Sequence, residues 1–148
     1  MDDRDTRRGS AWVKALAIGL AAVVLVAAVV ILVQERGGDS AGNPYAVLPG
    51  KWVRPDGGYV LEIRSAAADG TLEAGYFNPA PIRVARAKAS REGVGPVKVF
   101  VLLDDPANPG YRGCTYDLAF DPGENVLVGT YFQAVQGQRY EVAFERMK

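Results

Sequence analysis

Residues 15–33 form an uninterrupted apolar run without a charged or strongly polar side chain. As a helix rising 1.5 Å per residue this run spans about 28 Å, close to the roughly 30 Å hydrocarbon thickness of a bilayer. It predicts one membrane crossing and makes the rest of the chain a domain held at a membrane. Arg4, Arg7, Arg8 and Lys14 precede the run and only Arg36 closely follows it. Basic residues are retained on the cytoplasmic side, so the tail 1–14 is expected inside and the remainder outside. Trp12 stands where an interfacial aromatic anchor would lie. A cleaved signal peptide is the rival reading. Its apolar core is shorter and ends in small residues, whereas this run ends in Val30, Ile31, Leu32 and Val33. An uncleaved signal anchor in a bacterial inner membrane is therefore expected, with the bilayer as partner through 15–33.

Charge and missing residue types narrow the chemistry. The chain carries 17 basic and 17 acidic residues, so no basic surplus points to nucleic acid. It has no histidine and one cysteine, Cys114. That removes the commonest general base and metal ligand, and any internal disulfide or multi-cysteine zinc site. The folded region's serines, Ser65 and Ser90, fall at predicted strand ends without a nearby base. No enzyme, cofactor or metal is expected.

Residues 34–49, rich in Gly, Ser, Asn and Pro, read as a flexible linker. Beyond Gly50 the apolar pattern alternates with period two. It predicts eight strands over 51–54, 59–64, 71–77, 82–89, 97–103, 113–120, 126–134 and 139–147. Short turn-rich links such as Asp69-Gly70, Asp121-Pro122-Gly123 and Gln136-Gly137 imply antiparallel neighbours. The expected fold is all-β: an eight-stranded antiparallel up-and-down barrel over 50–148, favoured over a sandwich because closure removes exposed edges.

Gly50-Lys51-Trp52, followed by Asp69-Gly70-Thr71-Leu72-Glu73-Ala74-Gly75-Tyr76, resembles the start of the calycins, the lipocalin- and avidin-like small barrels. The resemblance covers roughly residues 50–77. It implies an eight-stranded meander with a ligand cavity at one end, and a late arginine packed over Trp52, for which Arg146 is the match. The chain departs from the avidins where biotin is held. Only Tyr76 matches a biotin-contacting position. Arg54 to Gly58 replace the Asn and Ser, and the sole tryptophans are Trp12 and Trp52. Biotin is not the expected ligand. The domain also resembles bacterial single-span envelope proteins that share Tyr76-Phe77-Asn78-Pro79 and Gly129-x-Tyr131-Phe132-Gln133-Ala134, a likeness that brings no function with it.

Strand parity places the links 55–58, 78–81, 104–112 and 135–138 at the barrel end away from the tether. Loops on a rigid scaffold and barrel mouths are where ligands bind. The candidate ligand-binding residues are Arg54, Asp56, Tyr76, Asn78, Asp104, Asn108, Tyr111, Tyr131 and Gln133, with Asp105 beside them. Tyrosines with an arginine suit a flat or anionic ligand. A calcium site at Asp104, Asp105 and Asn108 lacks regular ligand spacing, and turn formation explains these residues more simply. The expected function is a membrane-tethered extracytoplasmic module that meets a ligand or envelope protein at its distal loops. The alternatives are a structural protein with a filled barrel, or a carboxylate or tyrosine hydrolase using groups such as Asp117 and Asp121.

Overall fold

Period-two alternation past Gly50 does become strand throughout. The computed structural model describes residues 42–148, so the basic tail, the apolar run and the first part of the linker lie outside the described residues. Among the described residues no helix is long and apolar enough to cross a membrane. The strands are β1 (Gly50–Arg54), β2 (Tyr59–Ala66), β3 (Leu72–Asn78), β4 (Ala80–Ile82), β5 (Val84–Ser90), β6 (Lys98–Leu103), β7 (Cys114–Asp121), β8 (Val126–Gln133) and β9 (Gln138–Arg146). One sheet holds them in the order β4-β3-β2-β1-β9-β8-β7-β6-β5, with every pairing antiparallel.

Nine strands form where the sequence predicts eight, because the fourth predicted strand divides at Arg83. Pro79 and Pro81 lack an N–H, and the chain reverses tightly so that Asn78 faces Ala80 and Tyr76 faces Ile82. The next residues leave β3 and pair with β6 across a bulge between Val84 and Arg86. One bent stretch thus supplies both edges of the sheet. The edges meet where Thr71 bridges Lys88 and the Ala89 N–H donates to the Gly70 carbonyl at 2.7 Å. The result is a nearly closed antiparallel barrel, which leaves little free edge.

Inward positions follow the pleat. Leu61, Ile63, Leu72, Val99, Val101, Leu118, Leu127, Val142 and Phe144 fill the half nearer the start of β1, around the fully buried Trp52. Its indole N–H donates to the Leu48 carbonyl at 3.0 Å. The Arg146 guanidinium lies 4.0 Å from the Trp52 ring centroid, as the paired register Trp52↔Arg146 requires. Arg146 also donates to the Pro49 carbonyl at 2.8 Å and to the Val47 carbonyl. Asn43 donates to the Ala66 carbonyl at 2.8 Å. Residues 43–49, read from composition as the end of a flexible linker, are therefore bonded across this closed end.

A tyrosine-lined cavity at the open end

The opposite half of the barrel is not filled. A cavity of about 520 Å³ opens there, lined by Arg54, Asp56, Tyr59, Tyr76, Gly110, Tyr111, Tyr116, Tyr131, Gln133 and Tyr140. The chain has seven tyrosines, and only Tyr45 is outside this wall. Register explains the concentration. Tyr116 faces Tyr131 across β7 and β8, and Tyr131 faces Tyr140 across β8 and β9. These three rings share one rung and stack, with centroids 4.6 and 6.3 Å apart. On the other wall Tyr59 stacks on Tyr76 at 6.4 Å. Tyr76 and Tyr116 join the walls through a hydroxyl contact of 2.8 Å.

Arg54, the last residue of β1, is one of two buried charged residues among those described, at 8 % exposure. Its Nε and Nη2 donate to the two Asp56 oxygens at 3.0 and 2.6 Å, and Nη1 donates to the Tyr116 hydroxyl at 3.0 Å. The guanidinium also lies 4.6 Å from the Tyr59 ring centroid and 5.8 Å from that of Tyr131, within cation–π range. Burial alone would lower the Arg54 pKa, but the bonds to Asp56 and Tyr116 hold it above its ordinary value. Arg54 in turn holds the Asp56 carboxyl below the usual carboxylate range. Burial pushes the Tyr76, Tyr116 and Tyr131 phenols up. The cavity therefore presents neutral phenols around one fixed cation whose counterion stands at the rim.

The loop between β6 and β7 is braced from within. The Asp105 carboxylate accepts from the Arg83 and Ala107 N–H groups at 3.1 and 2.9 Å and from the Asn108 amide at 2.9 Å. A 3-10 turn, Pro109–Tyr111, follows and delivers Gly110 and Tyr111 to the cavity. Asn78 donates to the Tyr111 hydroxyl, and Gln133 donates to the Gly110 carbonyl at 2.9 Å.

Of the candidate residues, Arg54, Asp56, Tyr76, Tyr111, Tyr131 and Gln133 meet at the cavity. Asn78, Asp104 and Asn108 do not line it. Asn78 positions Tyr111 and Asn108 braces the loop, while the Asp104 carboxylate lies 3.8 Å from Arg112 outside the mouth. Among the described residues no cluster of His, Cys, Asp or Glu could hold a metal ion. Sequence reasoning missed Tyr59, Tyr116 and Tyr140 as cavity residues. Inward parity was readable for all three, but the shared rung was not. Cys114, fully buried, points its thiol at the Gly110 carbonyl.

The raised phenols have a measurable consequence. Up to about pH 10 folded and unfolded chains both keep these protons. Above it the unfolded chain releases protons that the folded chain retains, so stability falls as pH rises. Asp56 and Asp105, both lowered, act at the other end: their contribution is present above about pH 4 and is lost as pH falls through their folded values. On alkaline titration the Tyr76, Tyr116 and Tyr131 phenols should therefore ionise only together with loss of the near-UV circular dichroism. Tyrosinate absorbance from these three rings with the fold intact would contradict the burial described.

No known protein family, no curated protein and no solved structure matches this chain.

Proposed function

We propose that this chain is a membrane-tethered extracytoplasmic binding module whose small barrel takes a ligand at the loop end away from its tether. The observation that carries the reading is the cavity wall, which gathers six tyrosines and a buried arginine around about 520 Å³. Ligand pockets typically enclose about 300–1,000 Å³, lined mostly by apolar and aromatic groups with a few polar ones that orient the guest. A barrel filled for stability alone would use that volume for aliphatic side chains, since empty space forfeits packing energy. Hydroxyl-bearing rings supply both stacking faces and hydrogen bonds. The calycin-like reading has the same support: a nearly closed meander, a cavity at one end, and Arg146 over Trp52 at the other. Extracytoplasmic placement and the anchor rest on the 15–33 run and its flanking charges. Among the described residues Asp56 is the sole carboxylate in the cavity wall, which gives a two-carboxylate hydrolase no second member there.

A fragment screen by NMR tests the reading on the full-length chain in detergent micelles, with tyrosine rings selectively labelled. Compounds that bind should shift resonances of Tyr59, Tyr76, Tyr111, Tyr116, Tyr131 and Tyr140 and leave Tyr45, near Gly70 at the closed end, unmoved. Shifts no larger at the cavity rings than at Tyr45, or no compound that shifts any of them, would overturn it. A phosphatase that is active only after export, fused after Lys148, should be active if the domain lies outside and inactive if it does not.

A further inference from the structure

We propose that the cavity's ligand carries a carboxylate on a flat ring, and that Asp56 occupies the carboxylate's place until the ligand arrives. The inference rests on the binding-module reading above and gives it a ligand class. Its starting point is an asymmetry within one ion pair. The Arg54 side chain is 9 % exposed and the Asp56 side chain 58 % exposed. A guanidinium this deep cannot be left unpaired without a large penalty, so something must always hold it. The group that holds it comes from solvent, on the turn between β1 and β2, and reaches two residues back along the chain.

The contact has the fork geometry of carboxylate recognition, two parallel N–H donors on two oxygens of one carboxylate. That geometry does not distinguish a protein carboxylate from a ligand's. A ligand carboxylate entering from the mouth would replace Asp56 one for one, and the guanidinium would never be bare. Asp56 would return to water, where it already stands by half. Its turn is suited to release: Gly57 and Gly58 follow, and Gly58 has φ +68°, a conformation glycine adopts freely. The cation itself would not move, because Tyr116 bonds its third donor and Tyr59 and Tyr131 flank it. A ring joined to that carboxylate would then lie among the cavity tyrosines, where offset stacking is available on both walls. Selectivity for anionic over neutral guests follows from the exchange, since a neutral amide cannot take the place of a carboxylate against a buried guanidinium.

The test is calorimetric titration of the full-length chain and its Asp56→Asn variant with benzoate, 4-hydroxybenzoate and indole-3-acetate, each against its neutral primary amide. The carboxylates should bind the natural chain, and Asp56→Asn should bind them about tenfold more tightly, because the resident competitor has lost its charge. The amides should gain nothing from the substitution. Arg54→Met, with folding checked by circular dichroism, should lose the carboxylates. Asp56→Asn leaves the buried guanidinium without its counterion, at a cost in stability, so a crystal structure of the natural chain with the best-binding carboxylate is the second measurement; it should show Asp56 turned outward and the ligand on Arg54. Unchanged or weaker carboxylate binding in Asp56→Asn, amides bound as well as acids, no binding of any of these acids, or a ligand seated beside an intact Arg54–Asp56 pair would each overturn the proposal. A neutral guest shifting the cavity tyrosines would leave the binding module standing and remove only its anionic ligand.

Discussion

Trp52→Ala should unfold this domain or leave it barely folded. The indole is fully buried, meets Phe120 edge-on at 5.9 Å, carries the Arg146 guanidinium on its face and donates to the Leu48 carbonyl. Truncating a buried tryptophan costs about 3–5 kcal/mol in lost transfer energy and residual cavity. Here the cost extends further, because Arg146 and Leu48 both use the ring to fasten residues 43–49 over the barrel's closed end. Domains of this size are stable by only about 5–15 kcal/mol. A melting temperature lower by roughly 15–30 °C is expected from the usual scaling, or no cooperative transition at all. Arg146→Met, which keeps the ring and much of the packing, should cost less, about 1–2 kcal/mol, through the cation–π contact and hydrogen bonds. Thermal and urea melts of the two variants check the order. A Trp52→Ala domain melting within a few degrees of the natural one would show that the closed end is not held this way.

Gly129→Ala should be the most damaging single-methyl change in the barrel wall. Gly129 points inward between Leu127 and Tyr131, on the rung Leu118↔Gly129↔Val142. A Cβ at this position would lie 2.0 Å from the Asp117 carbonyl oxygen and 2.9 Å from the Leu118 Cα. Both are backbone atoms of the neighbouring strand, so no side chain can rotate away. β7 and β8 must separate, which strains their ladder and spreads the adjacent Tyr116–Tyr131 stack. Overpacking of this kind costs about 1–3 kcal/mol, and a backbone obstacle places it at the upper end. The variant should melt roughly 10 °C or more lower and lose affinity for any cavity guest. A guest bound as tightly by Gly129→Ala as by the natural chain would separate the cavity from this rung.

Strand content was legible because alternation and turn residues agree along most of the chain: Tyr59, Leu61 and Ile63, or Tyr140, Val142 and Phe144, leave little choice of face. The division at Arg83 was not legible. Residues 82–89 alternate weakly, with Arg83, Ala85, Ala87 and Ala89 on one parity and Ile82, Val84, Arg86 and Lys88 on the other, and nothing local records that their two halves pair with different strands. Counting reversals gives the end at which the links gather, and β4 to β5 adds none, so Arg54, Asp56 and Tyr76 fall at the end where the cavity opens. What parity could not supply was register. Tyr116, Tyr131 and Tyr140 become neighbours only when three strands align, and turn geometry fixes that alignment. In the longest loop Asp104 and Asp105 are alike as letters. The difference lies in which carboxylate meets the Arg83 N–H, a contact 22 residues away in sequence.

Native mass spectrometry of the full-length chain, purified from its own cells in mild detergent, tests the central claim most directly. The account predicts a small molecule bound at one per chain, released on denaturation, and absent from Arg54→Met and from Tyr131→Leu purified alongside. Bare protein in every preparation, or a molecule retained equally by both variants, would contradict it.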